Sequence, residues 1–97
     1  MNVLSRATLE KHWTKHPESK DQLLTWYKIA RAKKWKNLNE VLETFPKASI
    51  LKNNRVKFKI KGNDFRLIVR FNCEGQRCLI KWVGTHAEYN KIDANTV

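Results

Sequence analysis

The chain has 97 residues, and its 20 Lys and Arg against 9 Asp and Glu give a formal net charge of +11. Its 41% hydrophobic residues suffice for one modest core, which excludes intrinsic disorder, and two cysteines exclude a disulfide-dense scaffold. No apolar run approaches the roughly 20 residues of a membrane-spanning helix, and polar residues interrupt the first ten positions, where a signal peptide would be apolar. We therefore expect a single cytoplasmic domain over residues 1–97 with no membrane partner.

The first 46 residues have the pattern of helices. Ser5 is the predicted N-cap of a first helix, which Pro17 ends. A second helix is predicted to start at a capping box formed by Ser19 and Gln22. Its apolar stripe contains Leu23, Leu24, Trp26, Tyr27 and Ala30. The spacing of these apolar residues indicates that the helices bury one side against the rest of the domain.

A third, shorter helix and a connection complete this part of the chain. Asn37 and Glu40 repeat the capping pattern, and Pro46 ends the helix. Residues 47–54 are predicted to be a connecting stretch that leads into a region of different periodicity.

From Arg55 the apolar period changes to two, which indicates a half-buried strand followed by a tight turn at residues 62–64. A second strand, residues 65–71, returns with alternating apolar and basic positions. The hairpin is therefore predicted to present on one surface Lys57, Lys59, Lys61, Arg66 and Arg70. Residues 78–83 form a third strand, whose nearly continuous apolar run is typical of burial on both faces.

This order of elements predicts an α+β fold. N-terminal helices are expected to pack on one face of a small antiparallel β-sheet, while the other face stays basic and open. Residues 47–97 hold 11 basic and 4 acidic residues. Such a surplus attracts polyanions, so nucleic acid is the first candidate partner, although lysines on a small domain can also serve only to keep it in solution.

One cluster of titratable groups follows the third strand. His86 comes directly after it, and Glu88 and Tyr89 lie within three residues of His86. A histidine titrates near neutral pH and can exchange a proton with a substrate, while neighbouring Arg and Lys stabilise a phosphate. No phosphate-binding loop, dinucleotide fingerprint, acid pair or Gly-flanked serine is present, which argues against nucleotide-dependent, glycosidase and esterase chemistry.

The other candidate ligands have simpler explanations. His12 and His16 have the i, i+4 spacing of metal ligands, but no third ligand lies nearby, so solvated histidines and no metal site are expected. Cys73 and Cys78 are expected to be reduced thiols. The two tryptophans that could stack on a base are Trp35 and Trp82.

Two segments resemble a known family. Residues 55–67, ending in Lys-Gly-Asn-Asp-Phe-Arg-Leu, and residues 82–93, Trp-Val-Gly-Thr-His-Ala-Glu-Tyr-Asn-Lys-Ile-Asp, resemble the HigB toxins of bacterial type II toxin–antitoxin modules, within the RelE/ParE superfamily. The resemblance implies a RelE-like fold with a short N-terminal strand at residues 2–4. It also implies an mRNA interferase, an endoribonuclease that cleaves mRNA in the ribosomal A site and is silenced by a HigA-like helix-turn-helix antitoxin. We expect no cofactor and a monomeric free toxin.

The resemblance and the residues indicate the same surface. Arg66 is expected to hold the scissile phosphate, with His86 as acid or base and Tyr89 as a second proton carrier or stacking partner. The residues expected to bind RNA are Arg55, Lys57, Lys59, Lys61, Arg70 and Lys81. Purely structural roles are the alternative: Arg66 could form an ion pair with Asp64 or Glu88, and Tyr89 could only pack.

Two other functions are compatible with the sequence. A non-catalytic protein could bind RNA or the ribosome through phosphate contacts alone, and His86 would then be dispensable. A ParE-like topoisomerase poison could share the fold, because a fold does not fix a function. New mRNA ends within translated frames would favour the nuclease, and inhibition of gyrase-dependent supercoiling would favour the poison.

Overall fold

The structure is a computed structural model that describes residues 1–97, and it is an α+β fold. Its elements in chain order are β1 (Asn2–Leu4), α1 (Arg6–Lys15), a 3₁₀ turn (Pro17–Ser19), α2 (Lys20–Ala32), α3 (Leu38–Thr44), β2 (Ser49–Ile50), β3 (Arg55–Ile60), β4 (Phe65–Asn72), β5 (Arg77–Thr85) and α4 (His86–Tyr89). No helix has both the length and the apolar character that crossing a membrane requires.

The five strands form one mixed sheet in the order β1-β5-β4-β3-β2. The predicted antiparallel pairing is confirmed for β3, β4 and β5, but β1 runs parallel to β5, with Val3 opposite Cys78. A parallel pair needs a long connection, and here nearly the whole chain separates the two strands. The prediction of a plain connection over residues 47–54 was wrong, because Ser49 and Ile50 pair with β3 at the sheet edge.

The helix starts differ in how well the sequence predicted them. Asn37 caps α3 as expected, since its side chain accepts the main-chain N–H of Glu40. The Ser19 and Gln22 capping box was wrong: the Ser19 hydroxyl donates to the His16 carbonyl at 2.7 Å, and the Gln22 side chain accepts the main-chain N–H of Lys61. Gln22 therefore ties the second helix to the hairpin instead of capping it.

The main core lies between the helices and one face of the sheet. From the helices it receives Leu9, Leu23, Trp26, Ala30 and Val41, and from β3 and β4 it receives Val56, Phe58, Ile60, Phe65, Leu67, Val69 and Phe71. Trp35 also belongs to this core, which excludes the stacking on a base that its sequence position allowed. Its indole N–H donates to the Thr44 hydroxyl at 3.0 Å, and its ring packs against Phe45 and Phe71.

The opposite face of the sheet is not the open basic surface that the sequence predicted. After α4, the C-terminal segment, residues 90–97, crosses this face and buries Ala94. The side chain of Asn95 accepts the main-chain N–H of Lys52 at 2.9 Å. Ile68, which shares this face with the basic residues, is fully buried. The C-terminal segment therefore covers part of the basic face, while Lys59, near the β3–β4 turn, and Arg70, at the other end, stay exposed.

Strand β5 lies between β1 and β4, yet it is not buried on both faces as predicted. Its helix-facing residues Cys78 and Ile80 are buried, whereas Trp82 is half-buried on the opposite face. The register shifts between the pairs Ile68–Trp82 and Val69–Ile80, which makes Lys81 an extra, bulged residue. Both cysteines are free thiols, and burial raises the pKa of Cys78 to about 12.

Candidate active site

Arg66 is the central residue of the candidate site. It lies on β4 with Lys59 opposite on β3 and Gly84 opposite on β5, and only 6% of its surface is exposed. One guanidinium nitrogen, Nη1, donates to the side-chain and main-chain oxygens of Asn63, while Nε is buried without a partner. A buried cation in this state lacks the compensation that burial normally requires.

The proposed ion pairs of Arg66 are absent. Neither Asp64 nor Glu88 lies within ion-pair distance of it, and the two ion pairs in the structure join other residues. The guanidinium is therefore a buried positive charge without a counter-ion. Since a phosphate would supply both the missing charge and acceptors for the free N–H groups, the geometry favours an anion ligand.

Two further side chains converge on Arg66. The guanidinium carbon of Arg66 lies 5.7 Å from the ring centroid of Tyr89, and the Lys57 ammonium lies 5.4 Å from the same centroid. Burial lowers the pKa of Lys57 below the usual value of a lysine, and the charges of Arg66 and Lys59 lower it further. Two cations, Lys57 and Arg66, thus lie near one ring and neither forms an ion pair with a carboxylate, so a bound anion would relieve their repulsion.

The short helix α4 is held in place by a capping box that also positions His86 and Tyr89. The Thr85 hydroxyl accepts the main-chain N–H of Glu88 at 3.1 Å, and the Glu88 carboxylate accepts that of Thr85 at 2.8 Å. This second hydrogen bond is the main reason why the pKa of Glu88 lies below its usual value. The main-chain N–H of His86 donates to the Asp64 carbonyl at 3.0 Å, which attaches α4 to the β3–β4 turn.

His86 has the freedom that a proton carrier needs. Its side chain is exposed at the first position of α4, and Nδ1 lies 3.4 Å from the side-chain nitrogen of Asn90. This contact leaves Nε2 available to a ligand. Because α4 is attached to the turn that leads into β4, His86 and Arg66 belong to the same end of the sheet.

The structure divides the predicted RNA-binding residues into two groups. Lys57 and Lys59 lie on the same face as Arg66, and Lys59 is exposed. Arg70 is exposed four residues further along β4 and lines a separate surface cavity of about 670 Å³ at the opposite end of the sheet. Lys81 is half-buried at the β-bulge. These residues lie on the sheet at increasing distance from Arg66.

Two of the predicted RNA-binding residues do not lie on the exposed basic surface beside Arg66. Arg55 is 7% exposed, and its Nε and Nη2 donate to the main-chain oxygen of Val97 at 3.2 and 2.6 Å, so the C-terminal segment covers it. Lys61 lies beyond the end of β3, at a positive φ of 52°, and its charge helps to lower the pKa of Glu18. The turn therefore directs Lys61 toward the helical side.

The sequence did not identify two residues that shape the site, Asn63 and Gly84. Asn63 holds the Arg66 guanidinium, although its sequence position indicated only a turn. Gly84 permits the ring of Trp82 to lie against the main chain, because a Cβ there would be 2.6 Å from two ring carbons. Trp82 in turn packs beside Tyr89, with 6.2 Å between centroids. The position of Gly84, two residues before the candidate catalytic His86, was the one sequence signal that could have indicated this close packing.

His12 was expected to be solvated, but it is 8% exposed and packs edge-on against Phe65 at 5.0 Å. Burial lowers its pKa, and the neighbouring His16 lowers it further, while the carboxylates of Glu88 and Glu18 act in the opposite direction. Its Nε2 has no hydrogen-bond partner. No three His, Cys, Asp or Glu side chains come together as a metal site.

Comparison with known proteins identifies the family to which this α+β domain belongs. Residues 19–92 match the family model of HigB toxins, described as the RelE-like toxic component of a toxin–antitoxin system. The chain belongs to this family, since the match covers most of its length.

The curated relatives agree with the family match. The chain is 27% identical over 94 residues to the mRNA interferase HigB of Escherichia coli O6:H1 (strain CFT073), covering 95% of this chain and 91% of the relative. It is 25% identical over 96 residues to the mRNA interferase toxin HigB of Escherichia coli strain K12, covering 97% and 92%. The family resemblance of the two sequence segments is thereby confirmed over nearly the whole chain.

Proposed function

We propose that this HigB family member is an endoribonuclease that cleaves mRNA during translation, with Arg66 and His86 at its active site. The observation that carries the proposal is the buried Arg66 guanidinium, which has an unpaired Nε and no carboxylate partner. The names of its curated relatives, which are mRNA interferases, support the choice of substrate.

The reaction requires three things from the protein. A base removes the proton of a ribose 2′-hydroxyl, whose oxygen then bonds to the adjacent phosphorus. The 5′-oxygen of the next nucleotide leaves with a proton, and a 2′,3′-cyclic phosphate remains. Between these events the phosphorus carries extra negative charge, which hydrogen-bond donors fixed in advance stabilise.

The side chains are assigned to these tasks by their surroundings. Arg66 is held by Asn63 and stabilises the charge on the phosphate. His86 exchanges the proton at its free Nε2, and Tyr89, which lies beside both Arg66 and Lys57, stacks on a base or carries the second proton. Lys57 and Lys59 contact neighbouring phosphates along the face of the hairpin. Arg70 and Lys81 extend that contact toward the other end of the sheet.

The partners follow from the family and the charge. A toxin–antitoxin family member needs an antitoxin, and we propose a HigA-like helix-turn-helix protein for that role. The ribosomal A site in the cytoplasm is the proposed place of cleavage, because mRNA is unpaired and accessible there. The free toxin is proposed to be a monomer.

The test is brief induction of the wild type, Arg66→Ala and His86→Ala, each followed by mapping of mRNA ends. We expect new ends within translated frames for the wild type and a loss of at least 99% of them for each variant, with Lys11→Gln as an exposed control that keeps them. Wild-type induction without new ends would refute the proposal. New ends that persist in His86→Ala would refute the role of His86.

A further inference from the structure

Strand β3 has a free edge beyond the end of β2. Its partner β2 is two residues long and pairs only with Val56 and Lys57, so no strand lies opposite Lys59. The main-chain groups of a strand point to alternate sides, and the Arg55 carbonyl accepts the Leu51 N–H at 2.7 Å on the side of β2. Those of Lys59, four residues later, therefore face the same side. An unpaired edge of this kind can pair with an extended segment of another chain.

A cavity of about 490 Å³ lies beside this edge. Strand β3 lines one side of it, and the rest is lined by α2 and by the end of α3 with its connection to β2. The apolar part of the wall consists of Trp26, Phe45, Pro46, Ala48, Phe58 and Ile60. The indole N–H of Trp26 is buried without an acceptor. Since a buried donor of this kind normally has a partner, the wall fits a ligand that carries both an apolar group and an acceptor.

The surroundings of the edge are strongly basic. Residues 45–61 contain six basic and no acidic residues, and both Lys47 and Lys59 line the cavity and are exposed. Asp21 is the one acidic residue of the cavity wall. Two copies of a chain with a net charge of +11 would bring like charges together at such an edge. The charge therefore favours an acidic partner over a second copy of this chain.

We propose that an extended acidic segment of the antitoxin adds a strand along the free edge of β3. A large apolar side chain of the segment enters the cavity, and its main chain forms hydrogen bonds with that of Lys59. The antitoxin is the occupant because the family, the toxic component of a toxin–antitoxin system, gives this chain that protein partner. The identity of the partner rests on the proposed function, whereas the free edge and the cavity do not.

An added strand would also act on the candidate active site. The side chains of a strand project alternately to its two faces. When one side chain enters the cavity on the helical side, its neighbours project to the face that carries Lys57, Lys59 and Arg66. Acidic residues at those positions would pair with the two lysines that are proposed to contact RNA phosphates. The segment therefore lowers the affinity for RNA from the edge of the sheet.

The first experiment fills the cavity and measures antitoxin affinity. Every toxin carries Arg66→Gln, so that it can be produced without cleaving mRNA, and the probe is the purified antitoxin encoded beside the toxin gene. Thr25 is exposed at the rim of the cavity, and its hydroxyl donates to the main chain of Asp21. Thr14, exposed on α1, forms the same hydrogen bond with Glu10 away from the cavity. Thr25→Trp is therefore compared with Thr14→Trp.

We expect Thr25→Trp to weaken antitoxin binding at least tenfold, because its ring occupies the place of the inserted side chain. Thr14→Trp should lose less than twofold. Lys47→Glu should lose at least threefold through repulsion of the acidic segment, against less than twofold for Lys11→Glu, an exposed control on α1. Circular dichroism checks the fold of each protein, and Lys47→Glu provides the test should Thr25→Trp not fold.

A second measurement detects the added strand itself. Hydrogen exchange of the Lys59 amide, followed by NMR, should slow at least tenfold in the antitoxin complex, because this amide would then donate to the added strand. The amide of Glu74, in the distant turn between β4 and β5, should keep its exchange rate. Protection at Lys59 distinguishes strand addition from a contact made only by side chains.

Three results would overturn the inference: unchanged affinity of Thr25→Trp, an equal loss in Thr14→Trp, or an unprotected Lys59 amide in the complex. Failure of the proposed function is distinguished by mapping mRNA ends with Arg66 intact. An absence of new ends, together with antitoxin binding that Thr25→Trp weakens, would remove the nuclease and leave the inference in place. New ends that the antitoxin suppresses equally well in Thr25→Trp would leave the nuclease and remove the inference.

Discussion

Arg55 and Arg66 occupy two ends of the same sheet face, are almost equally buried, and differ in what surrounds them. Arg55 donates hydrogen bonds from Nε and Nη2 to the main-chain oxygen of Val97, and from Nη1 to the main-chain oxygen of Asn53. The Arg66 side chain donates hydrogen bonds only to Asn63 and keeps a buried, unpaired Nε. One arginine stabilises the C-terminal segment, and the other retains donors for a ligand.

The two arginines show that the position of a residue on a strand does not by itself make it a binding residue. Both arginines alternate correctly with apolar neighbours and both face the same way. The segment after α4 decides between them, since its Val97 oxygen accepts hydrogen bonds from Arg55, whereas it supplies no acceptor to Arg66. Replacing the two arginines should therefore have different consequences.

Replacing His86 with Ala should reduce RNA cleavage by about 10³-fold, because a general acid or base of this type contributes on that scale. RNA affinity should change little, since the residues proposed to bind the phosphates are Arg66, Lys57 and Lys59. Single-turnover cleavage of a translated mRNA, together with binding to the same RNA, measures both. A parallel fall in affinity and rate would place His86 in binding instead.

Replacing Arg66 with Ala should reduce the cleavage rate by about 10²-fold or more, as for the loss of one donor to a charged transition state. Arg66→Lys should recover only part of the rate, because an ammonium lacks the planar arrangement of donors. The free energy of unfolding, measured in urea, should stay the same or rise, since a buried cation without a counter-ion is removed. A large loss of stability would show that Arg66 is structural, like Arg55.

Arg55→Ala should have the opposite profile. It should lower the free energy of unfolding by about 2 kcal/mol, because hydrogen bonds from a charged donor to Val97 and Asn53 are lost. Cleavage per folded molecule should change less than threefold. Urea unfolding and cleavage at a temperature well below the transition separate these effects; a catalytic loss equal to that of Arg66→Ala would remove the distinction between the two ends.

His12, like Arg66, has a buried side-chain nitrogen without a hydrogen-bond partner, Nε2, but it has no proposed catalytic role. Its pKa is lowered in the folded protein, so below about pH 6.5 the unfolded chain binds a proton that the folded chain does not. The free energy of unfolding should therefore fall as the pH drops from 7.5 to 5.5. His12→Leu should flatten this dependence in urea titrations at both pH values, without changing the relative activity at pH 7.5. An equally steep dependence in the variant would contradict the assignment of the effect to His12.

The sequence alone determined the class of fold and predicted a location for the candidate site. The change of period at Arg55, the cap at Asn37 and the alternation along the hairpin were sufficient, because periodicity and capping are local properties of the chain. The two segments that resemble HigB toxins identified the family. Of the candidate residues, Arg66, His86 and Tyr89 are brought to one end of the sheet, as expected from their neighbouring strands.

Only the tertiary structure decided which charges remain accessible. Arg55 is covered because residues 90–97 return across the sheet, and Lys61 turns toward the helices because the main chain adopts a positive φ there. Three contacts depend on how the hairpin and the helices fold. They are the hydrogen bond from Arg66 to Asn63, the close approach of Trp82 to Gly84 and the packing of His12 against Phe65. An alternating pattern fixes the face on which a side chain lies, but what covers that face depends on contacts between distant parts of the chain.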